Sequence, residues 1–375
     1  MTRIVVTSAV RHAGDEAFSG YVRLVDLDSG TLLHTEPVPE SPWRAVDPNP
    51  RGGTRGAKGV SAHGDRLVIC NSDSVFVLDG RLALVATFTH PLAGAIHDVL
   101  AEESGIWVAC TNADLLACFT WDGQLAETWS WRDDPDLVRE LGLGPLPPLD
   151  LALDYRDPRA LQSGVMNIAH LNGVARSHDG LLVSLGRILS PDEVARRRRM
   201  ARLGSLAAKL GVTRRRTHGG SPTPAGVIPG SSSAIVLRRD DGTAAQVMHQ
   251  TDIGVPGHNV LDRDGVLLYN DTNAGRLVAF DRTRQIEIAS VAVPGDPSFA
   301  RGLAHWHDDT YLVGSQRPLA VHAIDLEQGA LTRTFELDGH ENESVYGIAA
   351  LSDAFADPPR DRSVFAPAIA PAEVS

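Results

Sequence analysis

Cysteine is nearly missing from this chain. Its 375 residues hold only Cys70, Cys110 and Cys118, none in a CxxC pair. That excludes a disulfide framework and a cysteine-based zinc knuckle, and it predicts three reduced core thiols. No run approaches 18 uninterrupted apolar residues, so a transmembrane helix is not expected. The opening MTRIVVTSAVRH is too short and too β-branched to read as a signal peptide, and a cytoplasmic location is the expectation. Walker, GxGxxG, GxSxG, HExxH and calcium-loop patterns are all missing, which argues against nucleotide hydrolysis and serine-hydrolase chemistry. Cationic excess is missing too. The net charge is -12, which speaks against nucleic acid or anionic membrane as a general partner.

Glycine and proline are plentiful, 35 and 23, and punctuate many short β-branched or alternating runs. One unit recurs: a polar residue, a small residue and an aliphatic one, then a turn and further strands. Copies begin at KGV (58–60), HDV (97–99), NGV (172–174), HNV (258–260), RGL (301–303) and YGI (346–348). Their aliphatic positions lie 39, 75, 86, 43 and 45 residues apart. The short intervals match one four-stranded propeller blade, and the two long ones imply insertions. The last copy has one strand before the tail, and RIVVTSAV, YVRLVDLDSG and LLHTEPV at the N-terminus supply the other three. The prediction is an all-β, six-bladed propeller over 1–353, closed by its N-terminal strands. Insertions are expected at 120–168 and 189–232, with a loose tail over 354–375.

The first insertion predicts a short helix at DPDLVRELGL. In the second, Ser190-Pro191-Asp192-Glu193 predicts a helix start, with Val194, Leu203, Leu206 and Leu210 near one side. Ten Arg/Lys against two acids give residues 187–216 a local charge of +8. This helix, 190–211, reads as a solvated face or as a lid or partner-docking element. The sequence after it reads as a mobile linker.

The first column of the repeat is polar throughout: Lys58, His97, Asn172, His258, Arg301 and Tyr346. Innermost propeller strands line the axis, where polar groups need partners, so the column predicts a wet channel or a ligand site. His170 shares a face with Asn172 by strand alternation. Three imidazoles (His97, His170, His258) can therefore converge. They could hold a divalent transition metal, Fe, Cu or Zn. They could do metal-free acid–base or nucleophilic work. Or they could be independent channel plugs. Lys58, Arg301 and Tyr346 face them and suit a small anionic substrate. Glu343 is one candidate partner for those cations. Asp98 and Asn259 alternate to the opposite face, where they could hold strands or orient a neighbour. His305 and His307 are weaker candidates.

IHDV, AHLNGV, PGHNV with LLYNDTNAGRLVAFD, and VPGDPSFARGLAHW, in that order, resemble a bacterial family of propeller proteins of unknown function. The resemblance covers roughly residues 90–350 and implies the same fold and sites. More distantly, the chain is similar to bacterial arylsulfotransferases that use a phenolic sulfate donor. That similarity implies roles for His97, His170 and Arg187, with His258 carrying the sulfuryl group. The family's last element is His-Asp, where this chain has His258-Asn259. Three functions are thus expected in outline: a metal-dependent enzyme on a small anionic substrate, a sulfuryl or similar group transferase, and a non-catalytic binding propeller.

Overall fold

The computed structural model describes residues 2–13, 18–47, 56–159, 167–209, 231–251, 257–272, 274–296, 298–356 and 363–366. They form six four-stranded antiparallel sheets arranged as propeller blades. Blade 1 runs, from the innermost strand outward, through Val60–His63, Arg66–Cys70, Ser74–Leu78 and Leu84–Thr89. Blade 2 uses Ile96–Glu102, Gly105–Cys110, Leu115–Phe119 and Leu125–Trp129. Blade 3 uses Leu171–Ser177, Gly180–Ile188, Ser232–Arg239 and Gln246–Thr251. Blade 4 uses Gly257–Arg263, Val266–Asp271, Arg276–Asp281 and Ile286–Ala292. Blade 5 uses Arg301–His307, Thr310–Gly314, Ala320–Asp325 and Ala330–Glu336.

Blade 6 closes the ring. Glu343–Leu351 is innermost and pairs with Arg3–Val10, which pairs with Gly20–Asp26 and then Thr31–Pro37. The predicted N-terminal closure is therefore observed, with Val6 opposite Ile348 and Thr7 opposite Gly347.

The strand types follow from their place in the blade. A second strand is covered on both faces by neighbouring blades, so Gly105–Cys110 is buried at every residue. That is why these runs are continuously apolar or small. Outer strands meet water on one face, and Leu84–Thr89 alternates half-buried and exposed. Inner strands crowd the axis. A Cβ on Gly59 would sit 2.7 Å from the Asp98 backbone, and one on Gly347 would sit 2.6 Å from the Lys58 carbonyl oxygen. At Gly59 and Gly347 glycine is a packing requirement, whereas blades 2 and 4 carry Asp98 and Asn259 in the same column.

Two expected boundaries need correction. The first insertion begins later than residue 120, because Leu125–Trp129 is the outer strand of blade 2. The segment after that strand is packed core: Trp131 is fully buried, and helix α1 (Pro135–Glu140) inserts Leu137 and Val138 between blades 2 and 3. Asp134 caps α1 by accepting from the backbone of Asp136 and Leu137. The tail is not loose where it is described. Phe355 and Val364 are buried against blades 1 and 6. Arg3 donates to the carbonyls of Phe355 and Ala356, and Val364 N–H donates to Glu36.

Helix α2 spans Pro191–Lys209, with the Ser190 hydroxyl accepting from Glu193 N–H as the sequence predicts. Val194 is buried, whereas Leu203 is 54% exposed. Nine residues at ~100° each end half a turn out of phase, so the two cannot share a face. The expected linker falls mostly on 210–230, outside the described residues. The three cysteines are buried free thiols. Burial pushes Cys70 up to about 12 and Cys118 up to about 11, so neither is a thiolate near neutral pH.

Candidate functional site

The first column of the repeat converges at one end of the axis. Lys58, Asn172, His258, Arg301 and Tyr346 are buried, and His97 and His170 are half-buried. The ring centroids of His97 and His170 are 4.9 Å apart, those of His97 and His258 are 6.4 Å apart, and those of His170 and His258 are 6.3 Å apart. Three histidines from three successive blades thus share one locus. His170 enters on a left-handed backbone at φ 50°, just before its strand. A non-glycine residue there is held by its surroundings.

The hydrogen bonds around the rings fix their protons. Thr111 Oγ1 is 2.8 Å from His97 Nδ1 and donates its only hydrogen to the Leu171 carbonyl at 2.5 Å. Its lone pair must then accept from the imidazole, so His97 carries its proton on Nδ1. The Ala95 carbonyl, 2.8 Å from the same nitrogen, can only accept and requires the same tautomer. Blade 4 repeats the arrangement. Thr272 Oγ1 is 2.8 Å from His258 Nδ1 and donates to the Ala300 carbonyl at 2.9 Å. His170 Nδ1 faces the Asn167 side-chain oxygen at 3.0 Å. In the neutral form each of the three rings would carry its lone pair on Nε2.

A metal-ligating imidazole likewise has its other nitrogen tied to an oxygen acceptor. The donor type suits Zn, Fe or Cu. The spacing is slightly wide. The three centroids lie on a circle of roughly 3.4 Å radius, whereas a ring bonded at about 2.0–2.1 Å places its centroid about 3.2 Å from the metal. As placed, no three His, Cys, Asp or Glu side chains among the described residues form a ligand set.

The field at the site is positive. His97 is held well below the ordinary histidine value, first by burial and then by the charges of Lys58, His170 and Arg301. The ring therefore stays neutral well into the acid range, with its Nε2 lone pair intact. Arg301 stacks on two aromatic rings, its guanidinium carbon 4.2 Å from the centroid of Tyr346 and 4.6 Å from that of Phe299. Tyr346 thus supports the guanidinium through its ring face. Glu343, offered by sequence as a partner for these cations, is instead bound to Arg23, Ser8 and the backbone of His340.

No known protein family and no curated protein sequence matches the chain. Solved structures do. The chain is similar to a structure from a nidogen–laminin complex, at 9% identity and a TM-score of 0.54, over 93% of this chain and 98% of that one. It is also similar to a protein of unknown function from Bacteroides caccae, at 9% identity and a TM-score of 0.53, over 94% and 99%. At such identity the shared property is the fold. The protein is a six-bladed β-propeller.

Two other sequence candidates join blades. Asp98 accepts from Val99 N–H at 3.0 Å and from Val174 N–H of blade 3 at 3.3 Å. Asn259, its counterpart in blade 4, accepts from Gly302 N–H of blade 5 at 2.9 Å. Asn172 donates to the Gly257 carbonyl, beside His258, at 3.0 Å. These contacts set the spacing of the inner strands. His305 and His307 lie at the opposite end of an inner strand and are exposed. Arg187 lies beside the His170 segment, its N–H donating to the Ala169 carbonyl at 3.0 Å.

Burial raises Asp98 to about 7 from an ordinary 3.8. A raised carboxyl favours the fold fully below the unfolded value, and that contribution is lost as pH rises toward 7. Asp98→Asn, which copies Asn259, should therefore gain on the wild type as pH rises. The half-exposed edge screens part of the effect, so the gain in unfolding free energy from pH 5 to pH 8 should be about 1–3 kcal/mol. Urea unfolding at the two pH values measures it, and a pH-independent difference would refute the assignment.

Sequence reading overlooked the two threonines. Their signal was present: Thr111-Asn112-Ala113 and Thr272-Asn273-Ala274 are the same tripeptide, placed just after the second strands of blades 2 and 4. Arg11 was also missed. Its guanidinium carbon also lies over the Phe299 ring, 3.9 Å from the centroid, and no motif distinguishes it.

Proposed function

We propose that this propeller is an enzyme acting on a small anionic molecule at its axis, with His97, His170 and His258 working through Nε2. The observation that carries the reading is the shared tautomer. Three converging imidazoles each have Nδ1–H tied to an oxygen, beside Lys58 and Arg301. Independent plugs in a channel have no need of a common tautomer. Imidazoles beside fixed cations suit a substrate that brings negative charge and gives up or accepts a proton or a group.

The same three nitrogens are the ones that would hold a transition metal. A bound Zn, Fe or Cu would polarise the substrate or activate a water molecule. An incoming anion would offset the repulsion between the metal and the two side-chain cations. Lys58 and Arg301 orient the substrate's charged group, and Tyr346 and Phe299 fix the guanidinium that does so.

The Thr272–His258 contact favours a second reading, metal-free group transfer. With Nδ1–H donated to Thr272, Nε2 of His258 is the nucleophilic atom. In a sulfuryl transfer its lone pair would bond to sulfur as the S–O bond to the phenol breaks, the leaving phenolate taking a proton from solvent. An acceptor hydroxyl would then bond to the same sulfur as the N–S bond breaks, releasing its proton to solvent and returning the imidazole to neutrality.

Elemental analysis of the purified protein, together with titration of wild type by inorganic sulfate, phosphate and small carboxylates, tests the proposal. Saturable anion binding with near one equivalent of metal supports the metal enzyme. Anion binding without metal, with phenol release from 4-nitrophenyl sulfate, supports group transfer. Binding of none of these anions, with no metal retained, would refute a small-anion site.

A further inference from the structure

We propose that Asp114 is a positioning residue for His170, acting from blade 2 on the segment that opens blade 3. The inference rests on the reading of His170 as a site residue.

Asp114 is fully buried in the turn after Thr111-Asn112-Ala113. Its carboxylate grips the backbone around His170. One oxygen accepts from the N–H groups of Ile168 and of Ala169, the latter at 3.1 Å, and the other accepts from Leu171 N–H at 3.3 Å. Three of the four N–H groups from 168 to 171 thus converge on one side chain. This is how a short run of backbone amides encloses an anion. The segment needs such a hold, because Asn167 at φ 54° and His170 at φ 50° are both left-handed. Asn167 is also the residue that holds His170 Nδ1. Releasing the turn would release both the ring and its tautomer partner.

The repeat shows that the aspartate is not needed for the turn itself. Blade 4 has the same Thr-Asn-Ala run, and the next residue there is Gly275 at φ 63°. Glycine takes that backbone without strain, yet blade 2 keeps an aspartate at φ 54°. The side chain is present for its carboxylate. Arg132, buried in the packed insertion, donates to it at 2.9 Å and balances its charge. Residues 114, 132 and 168–171 therefore form one unit that ends at the imidazole.

Diethyl pyrocarbonate acylates neutral imidazoles, and peptide mass spectrometry reads its rate at each histidine. In the full chain, Asp114→Asn should speed modification of His170 by about fivefold or more, with His97 and His258 within about twofold of wild type. The double variant D114N/R132Q separates positioning from simple charge balance. If Asp114 only neutralised Arg132, the double variant would restore the wild-type rate at His170. Positioning predicts that it stays fast. An unchanged His170 rate in Asp114→Asn, or restoration in the double variant, would overturn the proposal.

Hydrogen exchange in the wild type needs no variant to fold. The Ile168 and Ala169 amides, outside any strand, should exchange about as slowly as strand amides, and rapid exchange would overturn the proposal. A released His170 in a protein that binds neither anion nor metal would uphold the positioning while ending the functional reading.

Discussion

Arg301→Met should weaken binding of inorganic sulfate by about 10–100-fold, the loss of one charge-assisted hydrogen bond of roughly 1.5–3 kcal/mol. Methionine keeps aliphatic bulk against Phe299 and Tyr346, so the fold should be retained. Metal retention should not fall, because the guanidinium is not a ligand and its charge repels a bound cation. His258→Ala should show the opposite pattern. With one of three imidazoles gone, zinc affinity should drop by about 100-fold or more. Thr272→Val should fall between, because it leaves the ring in place but removes the acceptor that fixes its tautomer. Competition against a fluorescent chelator measures the zinc series, and calorimetry measures sulfate. Equal zinc affinity in wild type and His258→Ala would end the metal reading and leave metal-free transfer. Equal sulfate affinity in wild type and Arg301→Met would remove the guanidinium from the site.

The largest stability effect is expected at the closure of the ring. Arg23 and Glu343 form an ion pair at 2.5 Å, with 2% and 0% of their side chains exposed. Arg23 lies on an N-terminal strand and Glu343 on the C-terminal inner strand. Arg23 also donates to the Asp338 carbonyl at 2.9 Å, and Ser8 donates to Glu343. The pair therefore joins the two ends of the chain across blade 6. Arg23→Met leaves a buried carboxylate without its counter-charge and should cost about 3–5 kcal/mol. Glu343→Gln strands the guanidinium and should cost a similar amount. The double variant R23M/E343Q should recover much of the loss, since replacing both partners of a buried pair is far less costly than removing one. Urea unfolding of the four proteins gives the coupling. Additive losses would show that the two residues act separately.

Propeller architecture was legible because it is written in a repeat. Each inner strand must be polar at the axis, small where its neighbour approaches and aliphatic beyond, and six copies of that triplet can be aligned by eye. Blade closure was legible for the same reason, since a copy lacking three strands implies three spare strands elsewhere. His97 and His258 came from the alignment, because equivalent positions in a rotationally repeated fold reach the axis at similar height, whereas His170 was reached by alternation from Asn172 and in fact precedes the strand on a left-handed backbone. Less regular parts were harder. Residues 120–129 look like the insertion after them, as an outer strand is exposed and carries little apolar signal. Docking of Phe355 and Val364 depends on a groove between blades 1 and 6 that no local pattern announces.

Fold class, blade number and the set of polar residues facing the axis were thus readable from the chain alone, because local periodicity repeated six times encodes them. The roles of those residues emerged only in three dimensions. Asp98 and Asn172 bridge blades, Glu343 belongs to Arg23, and Thr111, Thr272 and Asn167 set the protons of the three imidazoles. The physical reason is range. Strand period and glycine placement are short-range properties of the chain. A tautomer or an ion pair depends on atoms within about 3 Å contributed by residues from 3 to 320 positions away.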